Sequence, residues 1–394
     1  ASLVTKVRTG EVKAMVGSIG YYNEDIDGLV NLTISKRQPG STVKPFNYSL
    51  YLDTKGVGGK THTLATIIED KEETYPNPNG TQYKPTNYDK IYRGNTSIRR
   101  SLANSINVPA VKALDFTGPD NFIRYISKFG VDWTDKDDYG LSLALGAAET
   151  SMLDLNSAFA VFTNGGKHTP INPIRYILTS NDEILEYNPC LYKPSDFKGK
   201  KVLKSPQNCN KTVINPNTSF LIKSVLADNE SRVEVFGQNN LLNVNGAAAK
   251  TGTTNDNKDN WTMGFNNEYV VGAWVGNNDG SSMDKRVIGV TGAGNIWNRV
   301  ITKLTNTKNA VDLQKEKPKD IVQVDVCKTA ETLPCASCTA YSEYFVKGTQ
   351  PTSACTYIAP TPVFYPQPAA EPFKPPIEEG LKIINKFEPE EDDS

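Results

Sequence analysis

Three short motifs contain the residues with which this chain could do chemistry. In order along the sequence, they are Ser41-Thr42-Val43-Lys44, Ser105-Ile106-Asn107 and Lys250-Thr251-Gly252. A serine hydroxyl is a weak nucleophile until a neighbouring base removes its proton. Ser41 and Lys44 are three residues apart, and at the start of a helix this spacing puts both side chains on one face. The pattern therefore predicts a nucleophilic Ser41 with Lys44 as its base.

Lys44 can accept a proton only when its amine is neutral. Burial lowers the pKa of a lysine, and so does a second cation nearby, for which Lys250 is the candidate. Ser105 would complete a proton relay to the nucleophile, and Asn107 offers a side-chain amide that can hold a peptide substrate. The first two motifs therefore predict a catalytic set of Ser41, Lys44 and Ser105.

The third motif predicts a strand that binds the substrate. A strand presents its backbone groups to an extended peptide. Lys250 adds an ammonium group, and Thr251 and Thr253 add hydroxyls, so the strand suits a substrate with a terminal carboxylate. Gly252 has no side chain, and we expect it to leave room for the close approach of the ligand.

Other candidate residues in the chain favour no second site. Ser195-Asp196-Phe197-Lys198 repeats the S-x-x-K spacing, but it lies in a lysine-rich stretch without a comparable turn, which predicts a solvated surface. Only two histidines are present, His62 and His168, and neither has a ligand-like neighbour at helical spacing. We therefore expect no Ser-His-Asp triad, no metal and no cofactor.

The elements around the first motif are predicted by its flanking residues. Gln38-Pro39-Gly40 breaks the chain immediately before Ser41. Pro45 follows, and proline is tolerated best in the first turn of a helix, where its missing N–H is not needed. We therefore predict a turn that leads into a helix near Ser41.

Two hairpins are predicted far apart in the sequence. Residues 3–7 and 12–16 are short strands around a turn, and residues 261–265 and 269–276 flank a second turn. Helical segments between two stretches of antiparallel strand are typical of an α+β domain and not of a parallel doubly wound sheet.

The segment between the hairpins has a helical pattern from about residue 97 to residue 165. Pro119 opens one predicted helix that Gly130 closes, and Ser151 is the predicted N-cap of another. A further helix is predicted at 217–228. These helices would cover the sheet.

The flanks of the motifs resemble a known family. The resemblance rests on Arg37–Phe46, Ser101–Ala110, Leu143–Gly146, Phe162–Gly166 and Lys250–Asp256. These segments are similar to those of the penicillin-recognising serine enzymes, and among them the class A penicillin-binding proteins. The resemblance covers residues 1–310. It implies a β-lactamase/transpeptidase-like fold, with an antiparallel sheet flanked by helices and a mostly helical subdomain.

The resemblance also implies an activity. The chain would be a serine D,D-transpeptidase that cross-links peptidoglycan stem peptides, with Ser41 as the acylated residue and β-lactams as covalent inhibitors. The oxyanion hole would be formed by the backbone N–H groups of Ser41 and Thr253. Alternatives remain at this point: a β-lactam sensor, a peptidoglycan-binding module, or a D,D-carboxypeptidase or β-lactamase that passes the acyl group to water.

Charge and hydropathy limit the partners of the chain. It has 394 residues and a formal net charge of −1, so no global field attracts nucleic acid or an anionic membrane. No apolar run is long enough to span a bilayer, and no signal peptide is visible.

The chain begins at Ala1 without Met, and we expect it to be a piece of a longer protein. The resemblance implies a membrane anchor and a glycosyltransferase domain before Ala1, and a location on the outer face of the cytoplasmic membrane, in the periplasm or cell wall.

The C-terminal part differs in composition from the rest. We predict a transpeptidase domain over 1–310, a cysteine-containing segment over 311–359, and a Pro-rich acidic tail over 360–394 that is too polar to order itself. Disulfides in an oxidising compartment are favoured over zinc, although the pairing stays open. The six cysteines are Cys190, Cys209, Cys327, Cys335, Cys338 and Cys355.

Overall fold

The computed structural model describes most of the chain. The described ranges are 1–76, 80–133, 139–204, 209–254, 256–284, 291–305, 310–336 and 338–355. The predicted acidic tail at 360–394 lies outside them. The strands are β1 (Ser2–Lys6), β2 (Val12–Val16), β3 (Ile67–Asp70), β4 (Tyr75–Pro76), β5 (Gln82–Tyr83), β6 (Gly94–Ser97), β7 (Lys167–His168), β8 (Tyr176–Leu178), β9 (Ile184–Tyr187), β10 (Lys211–Thr212), β11 (Ala248–Thr253), β12 (Asn260–Phe265), β13 (Tyr269–Val275), β14 (Ile321–Cys327) and β15 (Ala340–Val346).

Seven of the eight α-helices of the described residues lie between the N-terminal hairpin and the later hairpin, and the last one follows the later hairpin. The helices are α1 (Lys44–Asp53), α2 (Ile98–Ala103), α3 (Asn107–Thr117), α4 (Pro119–Ser127), α5 (Met152–Thr163), α6 (Pro216–Leu226), α7 (Asn229–Phe236) and α8 (Ala293–Leu304). In the described residues, no helix combines the length and the apolar character that a membrane crossing needs.

A five-stranded antiparallel sheet is the centre of the fold. Its strand order is β11-β12-β13-β1-β2, so β11 and β2 form its edges in the described part of the chain. The two predicted hairpins are confirmed, and they join through β1 and β13, where Ser2 lies opposite Ala273. Asn266 closes the later hairpin, because its Oδ1 accepts hydrogen bonds from the Glu268 and Tyr269 amides.

Helices cover both faces of this sheet. On one face α5 packs against β1, β12 and β13, and on the other α8 packs against β12 and β13. The alternation along β13 follows from strand geometry: Val270 and Trp274 join the core on the α5 side, whereas Val271 and Ala273 join the core on the α8 side. The predicted α+β architecture is confirmed.

Most of the predicted helix ends agree with the structure. Helix α4 begins at Pro119, and the chain leaves the helical region at Gly130, whose φ of 90° suits glycine. Ser151 caps α5, since its Oγ accepts a hydrogen bond from the Asp154 amide at 3.0 Å. One helix was predicted over 217–228. The structure has α6 in this region and then a second helix, α7, because the Asp228 side chain accepts a hydrogen bond from the Ser231 amide and so caps the start of α7.

Four of the six cysteines form disulfides in the structure. One joins Cys190 to Cys209, after β9 and before β10, and the other joins Cys335 to Cys355 beside the β14–β15 hairpin. The sequence left this pairing open, because a disulfide depends on Cα atoms that come within about 7 Å of each other, which sequence spacing does not reveal.

Two thiols remain next to the second disulfide. Cys327 ends β14 and is buried, and Cys338 precedes β15 and is half-buried. The sulfur atoms of Cys327, Cys338 and Cys355 lie within 4.8 Å of one another. Since Cys355 is bonded to Cys335, the structure provides two thiols for a metal at this place, whereas structural zinc sites use four ligands.

Candidate active site

Ser41 lies in a tight turn that leads directly into α1. The turn is a 3₁₀ helix over Gly40–Val43, and Pro45 occupies the first turn of α1, as predicted. Gly40 has a φ of 55°, and a Cβ there would lie 2.9 Å from the Thr253 carbonyl oxygen. The turn therefore packs against β11, so the nucleophile candidate and the third motif are neighbours.

Gly252 lies in close contact with the turn that carries Ser41, and the close approach of a ligand at this residue stays a prediction. A Cβ at Gly252 would lie 2.4 Å from the Pro39 carbonyl oxygen and 2.8 Å from Cγ2 of Thr42. The turn therefore occupies the space in which a side chain would lie. Glycine at 252 lets the strand and the turn approach each other, which brings the first and third motifs together.

Lys44 is completely buried and is surrounded by oxygen atoms. Its Nζ donates to Asn107 Oδ1 at 2.6 Å and to the Ser105 carbonyl oxygen at 2.6 Å, and it lies 3.4 Å from Ser105 Oγ. Helix α1 supplies the lysine, and its partners are Ser105 in the loop between α2 and α3 and Asn107 at the start of α3. The first and second motifs are therefore in direct contact.

Ser105 connects the two lysines. Lys250 Nζ donates to Ser105 Oγ at 2.7 Å and to the Thr251 carbonyl oxygen at 2.9 Å. Ser105 Oγ therefore lies between the amines of Lys44 and Lys250. The φ of Ser105 is 58°, a left-handed conformation that non-glycine residues seldom adopt. Such strain persists only where the surrounding structure holds the residue.

Both buried amines have a lowered pKa. Burial, and then the charge of Lys250, hold the pKa of Lys44 well below its ordinary value. Burial, and then the charge of Arg232, lower the pKa of Lys250 to about 7. A lysine whose pKa lies near neutrality can exchange a proton at physiological pH, which is what a general base requires.

Asn107 has partners for both ends of its side-chain amide. Its Oδ1 accepts from Lys44, and its Nδ2 donates to the Thr86 carbonyl oxygen at 2.8 Å. Asn87, which the sequence analysis did not single out, accepts from the amides of Asn107 and Val108 and so caps α3. The structure thus shows Asn107 in contact with Lys44, whereas the contact of Asn107 with a substrate stays a prediction.

Arg232 is a second residue that the sequence analysis missed. It is buried on α7, where it donates to the carbonyl oxygens of Leu226 and Asp228. No motif marks it, and the helix that carries it was not predicted. Its charge acts on Lys250, so it belongs to the electrostatic surroundings of the site.

Strand β11 presents the third motif at the edge of the sheet. Thr251 lies opposite Thr262 and is buried, whereas Thr253 lies opposite Asn260 and is half-buried. In the described part of the chain β11 has a strand on one side only. An edge strand offers unpaired backbone groups to an extended peptide, so the strand and its threonines suit a peptide substrate.

The remaining candidates lie on the surface or in other contacts. Ser195 is in an exposed turn, and Lys198 is exposed as well, as expected for a solvated stretch. His62 stacks on Tyr51, and His168 contacts Ser157 Oγ at 2.8 Å. These residues are not part of the lysine–serine cluster.

Comparison with known protein families gives two matches. Residues 1–289 match the model of the penicillin binding protein transpeptidase domain. Residues 317–360 match the model of the penicillin-binding protein 1A C-terminal domain. The first match covers the three motifs, and the second covers the β14–β15 hairpin.

Curated relatives and solved structures agree with these matches. The chain is 32% identical over 364 residues to penicillin-binding protein 1A of Aquifex aeolicus, covering 89% of this chain and 44% of the relative. It is 32% identical over 292 residues to the Neisseria lactamica protein of the same name, covering 74% of this chain and 34% of the relative. The chain therefore spans less than half the length of these relatives.

Two solved structures share the fold. Penicillin-binding protein 1A from Haemophilus influenzae has a TM-score of 0.72 and 24% identity, over 90% of this chain and 54% of that one. PonA1 from Mycobacterium tuberculosis in complex with penicillin V has a TM-score of 0.62 and 19% identity, over 81% and 80%. With a family match over residues 1–289, the chain belongs to the family of penicillin-binding protein transpeptidase domains.

Proposed function

We propose that this chain is a serine D,D-transpeptidase that cross-links peptidoglycan stem peptides through an acyl-enzyme at Ser41. The observation that supports this most is the hydrogen-bonded series Lys44–Ser105–Lys250, in which two buried amines of lowered pKa flank one hydroxyl. Ser41 lies in the 3₁₀ turn that leads directly into α1, the helix that begins at Lys44. A serine nucleophile needs a base close by for its activation, and Lys44 is the proposed base.

In the proposed acylation, neutral Lys44 accepts the Ser41 hydroxyl proton. Ser41 Oγ attacks the carbonyl carbon of the penultimate D-alanine, and the oxyanion that forms accepts hydrogen bonds from the Ser41 and Thr253 amides. The C–N bond then breaks. The departing D-alanine amine receives a proton through Ser105, which contacts both lysines. An ester on Ser41 and free D-alanine result.

The second half of the reaction reverses these roles. An amine of another stem peptide attacks the ester, and its proton passes to the Lys44–Ser105 pair. The C–O bond to Ser41 breaks as Ser41 Oγ takes a proton from Lys44, which regenerates the free serine. A β-lactam follows the first half only, because its opened ring amide stays tethered to the acyl group. In this proposal Lys250, Thr251 and Thr253 hold the substrate carboxylate, and Asn107 contacts the substrate amide.

The cellular location that we propose for the enzyme follows from its substrate. Stem peptides lie outside the cytoplasm, so we propose that the chain works at the outer face of the cytoplasmic membrane, as part of a longer protein with an anchor and a glycosyltransferase domain. The two disulfides agree with an oxidising compartment. The structure of PonA1, which shares this fold and was solved in complex with penicillin V, supports a β-lactam as a ligand.

Intact-mass spectrometry tests the nucleophile directly. After incubation with a penicillin, we expect one covalent adduct, and peptide mapping should locate it on Ser41. Ser41→Ala should abolish the adduct, whereas Ser195→Ala should keep it, because Ser195 has the same spacing to a lysine without the buried site. An adduct on Ser195, or none on the wild type, would rule out this function.

A product assay separates transfer from hydrolysis. A donor peptide that ends in D-Ala-D-Ala is supplied with an acceptor amine, and the products are identified by mass. A cross-linked product supports the transpeptidase, whereas cleavage of the terminal D-alanine without transfer indicates a D,D-carboxypeptidase. Acylation by penicillin without turnover of either kind indicates a β-lactam sensor.

A further inference from the structure

The β14–β15 hairpin contributes a buried carboxylate to the surroundings of the second motif. Glu343 on β15 is fully buried, and it accepts two hydrogen bonds from Arg99 on α2, at 2.7 Å each. Glu343 also accepts from the Tyr344 amide at 2.7 Å. Both oxygens of the carboxylate therefore have partners, and the pair has the bidentate geometry that fixes the direction of a guanidinium group.

Arg99 on α2 connects this helix to three other elements by side-chain hydrogen bonds. Besides Glu343 on the hairpin, its guanidinium donates to Asp228 at the start of α7 at 2.9 Å and to Ser224 on α6 at 3.1 Å. Its backbone amide donates to the Leu64 carbonyl oxygen at 3.0 Å. Arg99 is buried, so water competes little for these contacts. The position of α2 is thus set by groups from distant parts of the chain.

Helix α2 needs such external support. It has six residues, Ile98–Ala103, and a helix of that length is not stable by itself. Asn104, which follows α2, donates to the Ser231 carbonyl oxygen at 2.7 Å and accepts from the Val235 amide at 3.1 Å, both on α7. The next residue is Ser105, in its strained left-handed conformation. A shift in the position of α2 would therefore displace Ser105 as well.

We propose that Glu343 and Arg99 are positioning residues for the second motif, through which the C-terminal hairpin holds Ser105 between Lys44 and Lys250. The hairpin lies outside residues 1–289 but is required for the site at full rate. A buried ion pair adds little to stability compared with a well-packed apolar pair, and its directional hydrogen bonds serve orientation instead. The inference rests on the proposed acylation of Ser41.

Stopped-flow acylation by a fluorescent penicillin tests this role. Saturation curves give the binding constant and the limiting acylation rate, and the amplitude gives the fraction of folded enzyme. In Glu343→Gln, and in the apolar double variant Arg99→Met/Glu343→Leu, we expect a limiting rate lower by about tenfold or more, because small misplacements of catalytic groups have effects of this size. The binding constant should stay unchanged, since β11 is untouched.

A matched control comes from the same C-terminal segment. Asp325 lies on β14 opposite Ser342, and its carboxylate side chain is exposed, unlike that of Glu343. Asp325→Asn should acylate at the wild-type rate. A purely structural role would reduce the amplitude and the melting temperature without changing the limiting rate.

The outcomes are distinct. A wild-type limiting rate in folded Glu343→Gln, or in the folded apolar double variant, would overturn the positioning role. If the single change prevents folding, the double variant still gives a result, because it removes both charges of the Arg99–Glu343 pair, and Asp228 keeps its hydrogen bonds from the Ser231 amide and hydroxyl. Failure of the wild-type chain to acylate at Ser41 would instead overturn the proposed function, and the inference with it.

Discussion

At the scale of single residues, the site depends on two lysines kept away from water. Lys44 and Lys250 have only oxygen partners, and no carboxylate hydrogen-bonds to either amine in the described part of the chain. A buried ammonium without an opposite charge is unfavourable, so burial shifts each amine towards its neutral form. The chemistry that we propose follows from this lack of charge compensation.

The first prediction concerns Lys44. In Lys44→Met the buried stem is replaced by an apolar side chain of similar length, so the fold should remain, while the proposed base is lost. We expect acylation at Ser41 to slow by about 10²–10⁴-fold, the usual effect of a general base. The rate of adduct formation is measured by intact mass. Lys198→Met, which changes an exposed lysine, is the control, and an unchanged rate in folded Lys44→Met would remove Lys44 from the role of base.

The second prediction concerns stability and pH. Lys250 has a folded-state pKa of about 7, below the ordinary value of 10.5 that applies to the unfolded chain. Between these values the unfolded state binds more protons, so the free energy of unfolding should rise with pH across this window. Arg232→Gln removes a cation that lowers this pKa, so the folded pKa rises and the increase in stability should begin at a higher pH.

Denaturant unfolding at several pH values between 7 and 9.5 checks this expectation. The quantity to compare is the slope of the unfolding free energy against pH, because the lost hydrogen bonds of Arg232 lower stability equally at every pH. Lys198→Gln should keep the wild-type slope. Identical slopes for Arg232→Gln and the wild type would show that Arg232 does not act on a titrating lysine.

At the scale of elements, short pieces of structure meet at the site and hold one another. The Ser41 turn lies on β11 because Gly40 and Gly252 lack side chains, and the α2–α3 loop reaches both lysines because α7 holds Asn104. The β14–β15 hairpin joins this arrangement through Glu343. Each contact links elements that are far apart in the sequence.

The third prediction concerns the cysteines of the β14–β15 hairpin. In the structure Cys327 and Cys338 are thiols, and the other four cysteines are paired. After denaturation without reductant, an alkylating reagent should therefore add twice, on Cys327 and Cys338, and after reduction it should add six times. Mass spectrometry counts the adducts. No adducts before reduction would show a third disulfide, and one bound zinc per chain, measured by elemental analysis, would show a metal site instead.

At the scale of the whole molecule, acylation alone does not identify the enzyme. A hydrolase must also activate a water molecule against the ester, which requires a base placed for that purpose. In the described residues, no carboxylate hydrogen-bonds to Ser105, Lys44 or Lys250. Asp70, a buried carboxylate of this region, is occupied by Asn87 and by the Arg93 amide. These contacts favour a long-lived ester.

The fourth prediction follows from that arrangement. A penicilloyl ester on Ser41 should persist for far longer than it takes to form. The protein is acylated, free antibiotic is removed, and the adduct is followed by mass over hours. Rapid return to the unmodified mass, with many molecules of drug hydrolysed per chain, would convert the proposal into a β-lactamase.

The sequence by itself determined the features that depend on neighbouring residues. The turn before Ser41, the helix with Pro45 in its first turn, the Ser151 cap and both hairpins of the sheet were predictable, because each follows from backbone geometry within a few residues. The order of the three motifs, with their flanks, also indicated the family. These signals are local, and the chain carries them before it folds.

Only the tertiary structure decided how the motifs meet. The contact of Lys44 with Ser105 joins residues 61 apart, and that of Lys250 with Ser105 joins residues 145 apart. The contributions of Arg232 and Glu343, and the disulfide pairs, arise in the same way. No local pattern encodes such contacts, because they depend on which surfaces pack together, and the pKa of a lysine is set by that packing and not by its neighbours in the sequence.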